Sequence, residues 1–470
     1  YADRRGDYCS DAYFAAEKAA AEGELAALEK IDRSKLNEVD RIAYDVFKYG
    51  KEQTLKGFED AIFRVTVVRP INHFSGVHTF YPTFASGKGA APFRTLADYE
   101  NNLKRHRQFP AVLECAIDRF RQGLAAGIVE TRMTIRNVIE QLDLQLKQKP
   151  EESPYYGPVT EFPGGISEAD RERLRAAHLR TVTEELYPAY RKLRDFLEKE
   201  YLPKAREGVG LVHMKGGREL YDFLIETTTT ISMKADEIHE LGLKEVARIR
   251  AGMEAIKKEV GFNGTLAGFF EHLRTDPKFR PTSAEWLRDR YYEVGRQVDS
   301  RISTLFSTVP KSKLEIRPVE PFREKNEAAG SYNAGTPDGS RPGVFYYNTY
   351  DLASRNTYGI ETLYLHEGAP GHHFQISLAQ ENEQLPAFMR FGGNTAFVEG
   401  WALYAETLGP DLGLFTDPYQ RFGHLDDEML RAMRLVVDTG IHAKGWTREQ
   451  AIDYMLANSG MGRTDATAEV

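Results

Sequence analysis

The chain has 470 residues, 41% hydrophobic and 28% charged, and its 62 Lys+Arg against 70 Asp+Glu leave a net charge of −8. That acidic balance argues against a nucleic-acid-binding surface or a polybasic membrane patch, and no apolar run approaches the roughly 18 residues that span a bilayer. Only Cys9 and Cys115 occur, which excludes a thiolate zinc site and a multi-bridge scaffold; the pair reads as two buried thiols rather than one disulfide.

At ~150 residues per domain the length suggests two or three lobes. Apolar residues recur at helical spacing over 11–28, 36–48, 96–121 and 167–201. Between them, 64–94 is rich in aromatics, Gly and Pro and reads as irregular. A second irregular stretch, 147–165, carries Pro150, Pro154, Pro158 and Pro163 and marks a lobe boundary or surface strap. The division expected is an N-terminal helical lobe, 1–205, and a catalytic lobe, 206–470. Ser232 is a candidate N-cap for a helix beginning near Met233, and Thr282-Ser283-Ala284-Glu285 matches a capping box opening a helix to about Ser307. The texture then changes: 313–319 and 343–350 alternate in β-favouring residues around the loop residues 334–339. A small antiparallel sheet is expected there, with helices again at 362–380, 395–408, 420–440 and 448–458. The fold class is mainly α, two-lobed, with a small β element beside the helix that carries the chemistry.

That helix contains His366-Glu367-Gly368-Ala369-Pro370-Gly371-His372-His373. Zinc hydrolases commonly use H-E-x-x-H because a four-residue step sets two imidazoles on one helix face. Here Pro370 holds the i+4 position, and on a straight helix His373 would lie about 10 Å along the axis from His366. Gly368, Pro370 and Gly371 favour a bulge or kink, and a two-residue bulge brings His372 or His373 back to the ion. Glu399, in Phe397-Val398-Glu399-Gly400-Trp401, is the candidate third ligand; its apolar neighbours suggest a buried carboxylate, which is costly unless paired or bound to metal. Glu406, seven residues on, reads either as a hydrogen-bond partner for one of the histidines or as a solvated helix residue.

The stretch 366–375, Phe397-Val398-Glu399-Gly400-Trp401-Ala402-Leu403-Tyr404, Asp438-Thr439-Gly440-Ile441-His442 with Gly445-Trp446, and 232–242 together resemble the bacterial domain-of-unknown-function family 885. The resemblance runs over most of the chain. It implies kinship with zinc metallopeptidases of the gluzincin type, similar in outline to the thimet oligopeptidase and carboxypeptidase Taq families. In those families a Gly-His pair aligns with Gly371-His372 and a Val-Glu with Val398-Glu399. The resemblance therefore implies His366, His372 and Glu399 as ligands to one Zn²⁺ per chain, with Glu367 as general base on a metal-activated water. It also implies a C-terminal lobe that continues beyond the position of Val470, and a secreted or lipid-anchored, periplasmic setting.

Further candidates surround this set. Arg434, Asp438 and His442 are four apart and share a helix face, reading as an ion-pair ladder or as a transition-state donor group; the resemblance favours His442 at the site. The segment 343–348 is expected to be an exposed edge strand holding an extended peptide, with either Tyr346 or Tyr347 toward substrate. Arg355 and Tyr358 are candidates for binding a substrate terminus. The function expected is a zinc metallopeptidase acting on peptides. A non-catalytic binding protein on a degenerate peptidase scaffold, and a metal enzyme for another amide or ester, are the alternatives.

Overall fold

The computed structural model describes every residue except 1, 2, 5, 90, 322 and 323, and the side chain of Asn326. The chain divides into two compact units, one of Tyr1–Ile31 with Gly50–Leu220 and one of Asp32–Tyr49 with Tyr221–Val470. The first is helical. Its core is built on the helices Leu96–Ala126, Arg132–Lys147 and Tyr187–Phe196, which bury Phe109, Leu113, Phe120, Ile135, Val138 and Leu193. The stretch expected to be irregular at 64–94 contains the helix Val77–Ala85, with Pro82 inside it. Burial of His78, Tyr81 and Ala85 along one face sustains that helix despite the proline. Within this unit Cys9 and Cys115, expected as thiols, form a disulfide across 106 residues; a separation of that length leaves no local sign of the pairing.

The second unit is framed by two long helices, Ala235–Glu259 and Pro418–His442. They run antiparallel: His239 Nδ1 meets Thr439 Oγ1 at 2.9 Å, and Arg248 pairs with Glu428. Gly242 permits the close approach, because a Cβ there would stand 2.7 Å from Leu435 Cβ. The first of these helices starts at Ala235, later than expected, with Lys234 at the N-cap in place of Ser232. After a short helix, Leu266–Thr275, comes Ala284–Asp299, capped by the Ser283 hydroxyl, which accepts from the Trp286 N–H, rather than by the expected 282–285 box, and ending before the expected Ser307.

The small sheet has three strands, β1 (Leu314–Pro318), β2 (Gly330–Asn333) and β3 (Gly343–Tyr347), in the order β1-β3-β2. It is mixed rather than wholly antiparallel, since β1 pairs parallel and β2 antiparallel with β3. Strand β3 is therefore central, not an edge, and Val344, Phe345 and Tyr347 are buried on it. The strand missed from sequence is β2, whose Gly-Ser-Tyr-Asn lacks apolar alternation. Phe345 and Tyr347 pack with Tyr291, Ile360 and Leu365 in one core, so the sheet is joined directly to the helix that carries His366.

Candidate metal centre

The helix expected over 362–380 is two helices, Ile360–Glu367 and His372–Glu381. Chain direction changes over Gly368-Ala369-Pro370-Gly371, where the Ala369–Pro370 peptide is cis. The break goes further than the expected bulge, because the first helix ends and a second begins. Gly371 is required by contact: a Cβ would lie 2.0 Å from the His366 carbonyl oxygen and 2.3 Å from that of Leu365. Trp401 Nε1 donates to the Pro370 carbonyl at 2.7 Å, tying this turn to the helix Thr395–Thr407. The His366 and His372 rings end 4.6 Å apart between centroids, edge to face.

Both Nε2 atoms face one carboxylate. Glu399 Oε2 lies 3.4 Å from His366 Nε2, and Oε1 lies 3.6 Å from His372 Nε2. One ligand atom from each of the three residues falls within 4.8 Å of the others, and it is the single such group among the described residues. Glu399 itself is not buried as expected: its side chain is 49% exposed and Phe397 beside it is open to solvent. The first turns of its helix stand clear of the core, so the carboxylate marks the open side of the cluster. Hydrogen bonding from His366 is the main cause that holds its pKa down, to about 2, despite partial burial.

His372 and His373 have different tasks. Burial, reinforced by the neighbouring His366, lowers the His372 pKa to about 4, so its imidazole is neutral, and its Nδ1 has no hydrogen-bond partner among the described residues. The His373 ring points to the sheet instead. Its Nδ1 meets the Tyr332 hydroxyl of β2 at 3.0 Å, and it also bonds to the Ser312 backbone. Gly343 leaves room for that contact, since a Cβ would fall 2.7 Å from His373 Nδ1.

Glu367 is buried, and its Oε2 has no hydrogen-bond partner among the described residues. Burial raises its pKa to about 7, the charge of His366 opposing this in part. Glu406, 1% exposed, accepts from His366 Nδ1 at 2.8 Å, which decides between its two readings in favour of a histidine partner. Arg431, which sequence reasoning passed over, lies with its Nη2 3.1 Å from Glu406 Oε1 and 3.0 Å from His366 Nδ1. Its signal was available: His424, Asp427, Arg431, Arg434, Asp438 and His442 recur at three- and four-residue steps along one face of Pro418–His442.

Of the other candidates, Arg434 lies within electrostatic range of Glu399, and none is among the three converging ligand groups. Arg434 pairs with Glu469 through both Nε and Nη2. Asp438 accepts from the Tyr221 hydroxyl and lies 3.9 Å from His442, whose ring sits 5.3 Å from that of Tyr221. His442 is about 16 Å along the helix axis from Arg431, at ~1.5 Å per residue. Tyr347 packs into the core, while Tyr346 faces the other side of the sheet, opposite Arg317 in register. Arg355 and Tyr358, expected near a substrate terminus, are buried struts: Arg355 binds Asp465 at 2.7 Å and Tyr358 donates to the Gly460 carbonyl.

A family model described as a bacterial protein of unknown function, DUF885, matches residues 1–470. No curated protein matches the chain. Among solved structures it is similar to "the putative lipoprotein from Colwellia psychrerythraea", with 26% identity and a TM-score of 0.92, covering 100% of this chain and 82% of that one.

Proposed function

The chain belongs to DUF885, a bacterial family of unknown function, and from that premise we propose that it is a zinc-dependent hydrolase acting on peptides. One observation carries the reading: two imidazole Nε2 atoms and the Glu399 carboxylate converge within 4.8 Å next to the buried Glu367, whose Oε2 has no hydrogen-bond partner among the described residues. The donor set fits Zn²⁺, for two imidazole nitrogens and a carboxylate are its ordinary ligands at a catalytic site with an open position. Zn²⁺ held there would act as a Lewis acid and lower the pKa of a bound water toward ~7. Glu367 takes the proton of the attacking water at Oε2 and passes it to the leaving nitrogen. Glu406 accepts from His366 Nδ1 and so orients the ring with Nε2 on the Glu399 side, where an ion would be held.

The peptide assignment is supported by the sheet and by the long helix. With β3 central, β1 and β2 are the outer strands, and β2, whose Tyr332 touches the histidine next to His372, is the one to pair with an extended chain. Arg434, Asp438 and His442 continue outward from Arg431 over about 16 Å, the span of roughly five extended residues, and serve as substrate contacts remote from the bond cleaved. An extracytoplasmic location is part of the same reading. The Cys9–Cys115 disulfide supports it, since such cross-links persist in oxidising compartments.

Metal analysis of the purified chain should find about one zinc per molecule. Glu367→Gln should keep that metal and lose peptide hydrolysis by about 10²- to 10⁴-fold. A Glu367→Gln protein as active as the parent would overturn the mechanism, and a folded chain that takes up no metal would leave a binding module in place of an enzyme.

A further inference from the structure

We propose that Arg431 is a positioning residue that sets the metal affinity of the site by holding the Glu406 carboxylate against Nδ1 of His366; the proposal rests on the metal reading above. The geometry is a triangle of contacts: Arg431 Nη2 lies 3.1 Å from Glu406 Oε1 and 3.0 Å from His366 Nδ1, and Glu406 Oε1 lies 2.8 Å from His366 Nδ1. When Nε2 of His366 is directed to a metal, Nδ1 carries the proton and donates to Glu406. The nearby guanidinium then has the carboxylate oxygen, not the imidazole nitrogen, as its acceptor.

Three features separate this pair from the surface ion pairs of the same helix. Glu406 is 1% exposed, whereas Arg421 and its partner Glu259 are 37% and 51% exposed. A buried carboxylate stripped of this cation keeps only the His366 hydrogen bond and the more distant His424 Nδ1 at 3.8 Å, and is held less firmly in one orientation toward the ring. Arg431 is also fixed from its own helix, because Nη1 donates to the Asp427 carbonyl at 2.9 Å and lies 3.7 Å from Asp427 Oδ1. A clamped guanidinium, an anchored carboxylate and a ligand imidazole thus converge from three different helices.

The test is metal titration of the full chain, with Zn²⁺ for affinity and Co²⁺ for its visible absorption. Arg431→Met should weaken binding about 10- to 100-fold and shift the Co²⁺ bands, with Arg431→Lys recovering part of the loss. Arg421→Met, which removes an exposed ion pair from the same helix, should change neither. If Arg431 acts through Glu406, then adding Arg431→Met to Glu406→Gln should cost less than about twofold more. Unchanged affinity and an unchanged Co²⁺ spectrum in Arg431→Met, or losses that simply add in the double variant, would overturn the proposal. Should Arg431→Met fail to fold, Arg431→Lys decides it by the same two readouts. A parent protein that binds neither ion defeats the metal reading itself, which is a different result from a parent that binds and an Arg431 variant that binds equally well.

Discussion

A histidine ligates metal as the neutral imidazole, and burial supplies that form at His372, whose pKa falls to about 4. Glu399 arrives already ionised, its carboxyl held at about 2 by the hydrogen bond from His366. His373 is equally buried, yet its ring is spent on Tyr332 and the Ser312 backbone. The two neighbours should therefore respond differently to the same change. His372→Ala should abolish stoichiometric metal binding. His373→Ala should keep the metal and lose about 1 to 3 kcal/mol of stability as the buried ring and its contacts with Tyr332 and the Ser312 backbone are lost, measured by denaturant unfolding beside metal content. Metal loss in His373→Ala with retention in His372→Ala would exchange their roles. The residue types were legible in the motif; which of two adjacent rings faces the ion was not, because a one-residue step turns a side chain by about 100° and the direction of the second helix was unknown.

The turn between the two short helices is where element-scale structure governs the site. Gly368 and Gly371 flank the residues that reverse the path, and carbonyl oxygens of the preceding helix occupy the space of a Gly371 side chain. Backbone cannot yield as a flexible side chain can. Gly371→Ala should cost on the order of 3 kcal/mol or more and lose metal binding, whereas Gly400→Ala, which meets nothing within 4 Å, should retain it; melting temperature and metal content report both. A Gly371→Ala protein with parental stability would refute the packing argument. The long amphipathic helices were readable because their apolar spacing is local: 11–28 and 448–458 match the observed Asp11–Leu28 and Arg448–Asn458 to the residue. Strand β2 was not readable, since it is held by pairing with β3 rather than by a pattern of its own.

At the scale of the whole molecule, the first unit carries a second set of histidines that are not at the metal centre. His78 and His178 are fully buried, and burial lowers both pKa values to about 4. His106 is lowered further, by burial and by the charge of His178, and lies between the Tyr81 hydroxyl and the Asn102 amide. In the unfolded chain an imidazole takes up its proton near 6.5, so between about 6.5 and 4 the unfolded state binds more protons than the folded one. Their contribution is complete above pH 6.5 and is lost as the pH falls through this window, on the order of 3 kcal/mol each for His78 and His178. Melting temperature should therefore drop steeply from pH 6.5 to 4, and His178→Gln should reduce that drop relative to the parent. Parallel profiles for parent and variant would remove His178 from the account.

By itself the sequence determined the helical character, the small β element and the His and Glu residues of the candidate metal cluster, since each depends on spacing along a few turns or on the chemistry of a short motif. Only the tertiary structure decided the rest: that His372 and not His373 joins His366 and Glu399, that Glu406 backs His366, that Arg431 backs Glu406, and that Cys9 bonds to Cys115. Each of these contacts joins residues on different segments of the chain. The path between them is set by packing, and a helical or strand period extends only as far as its own element.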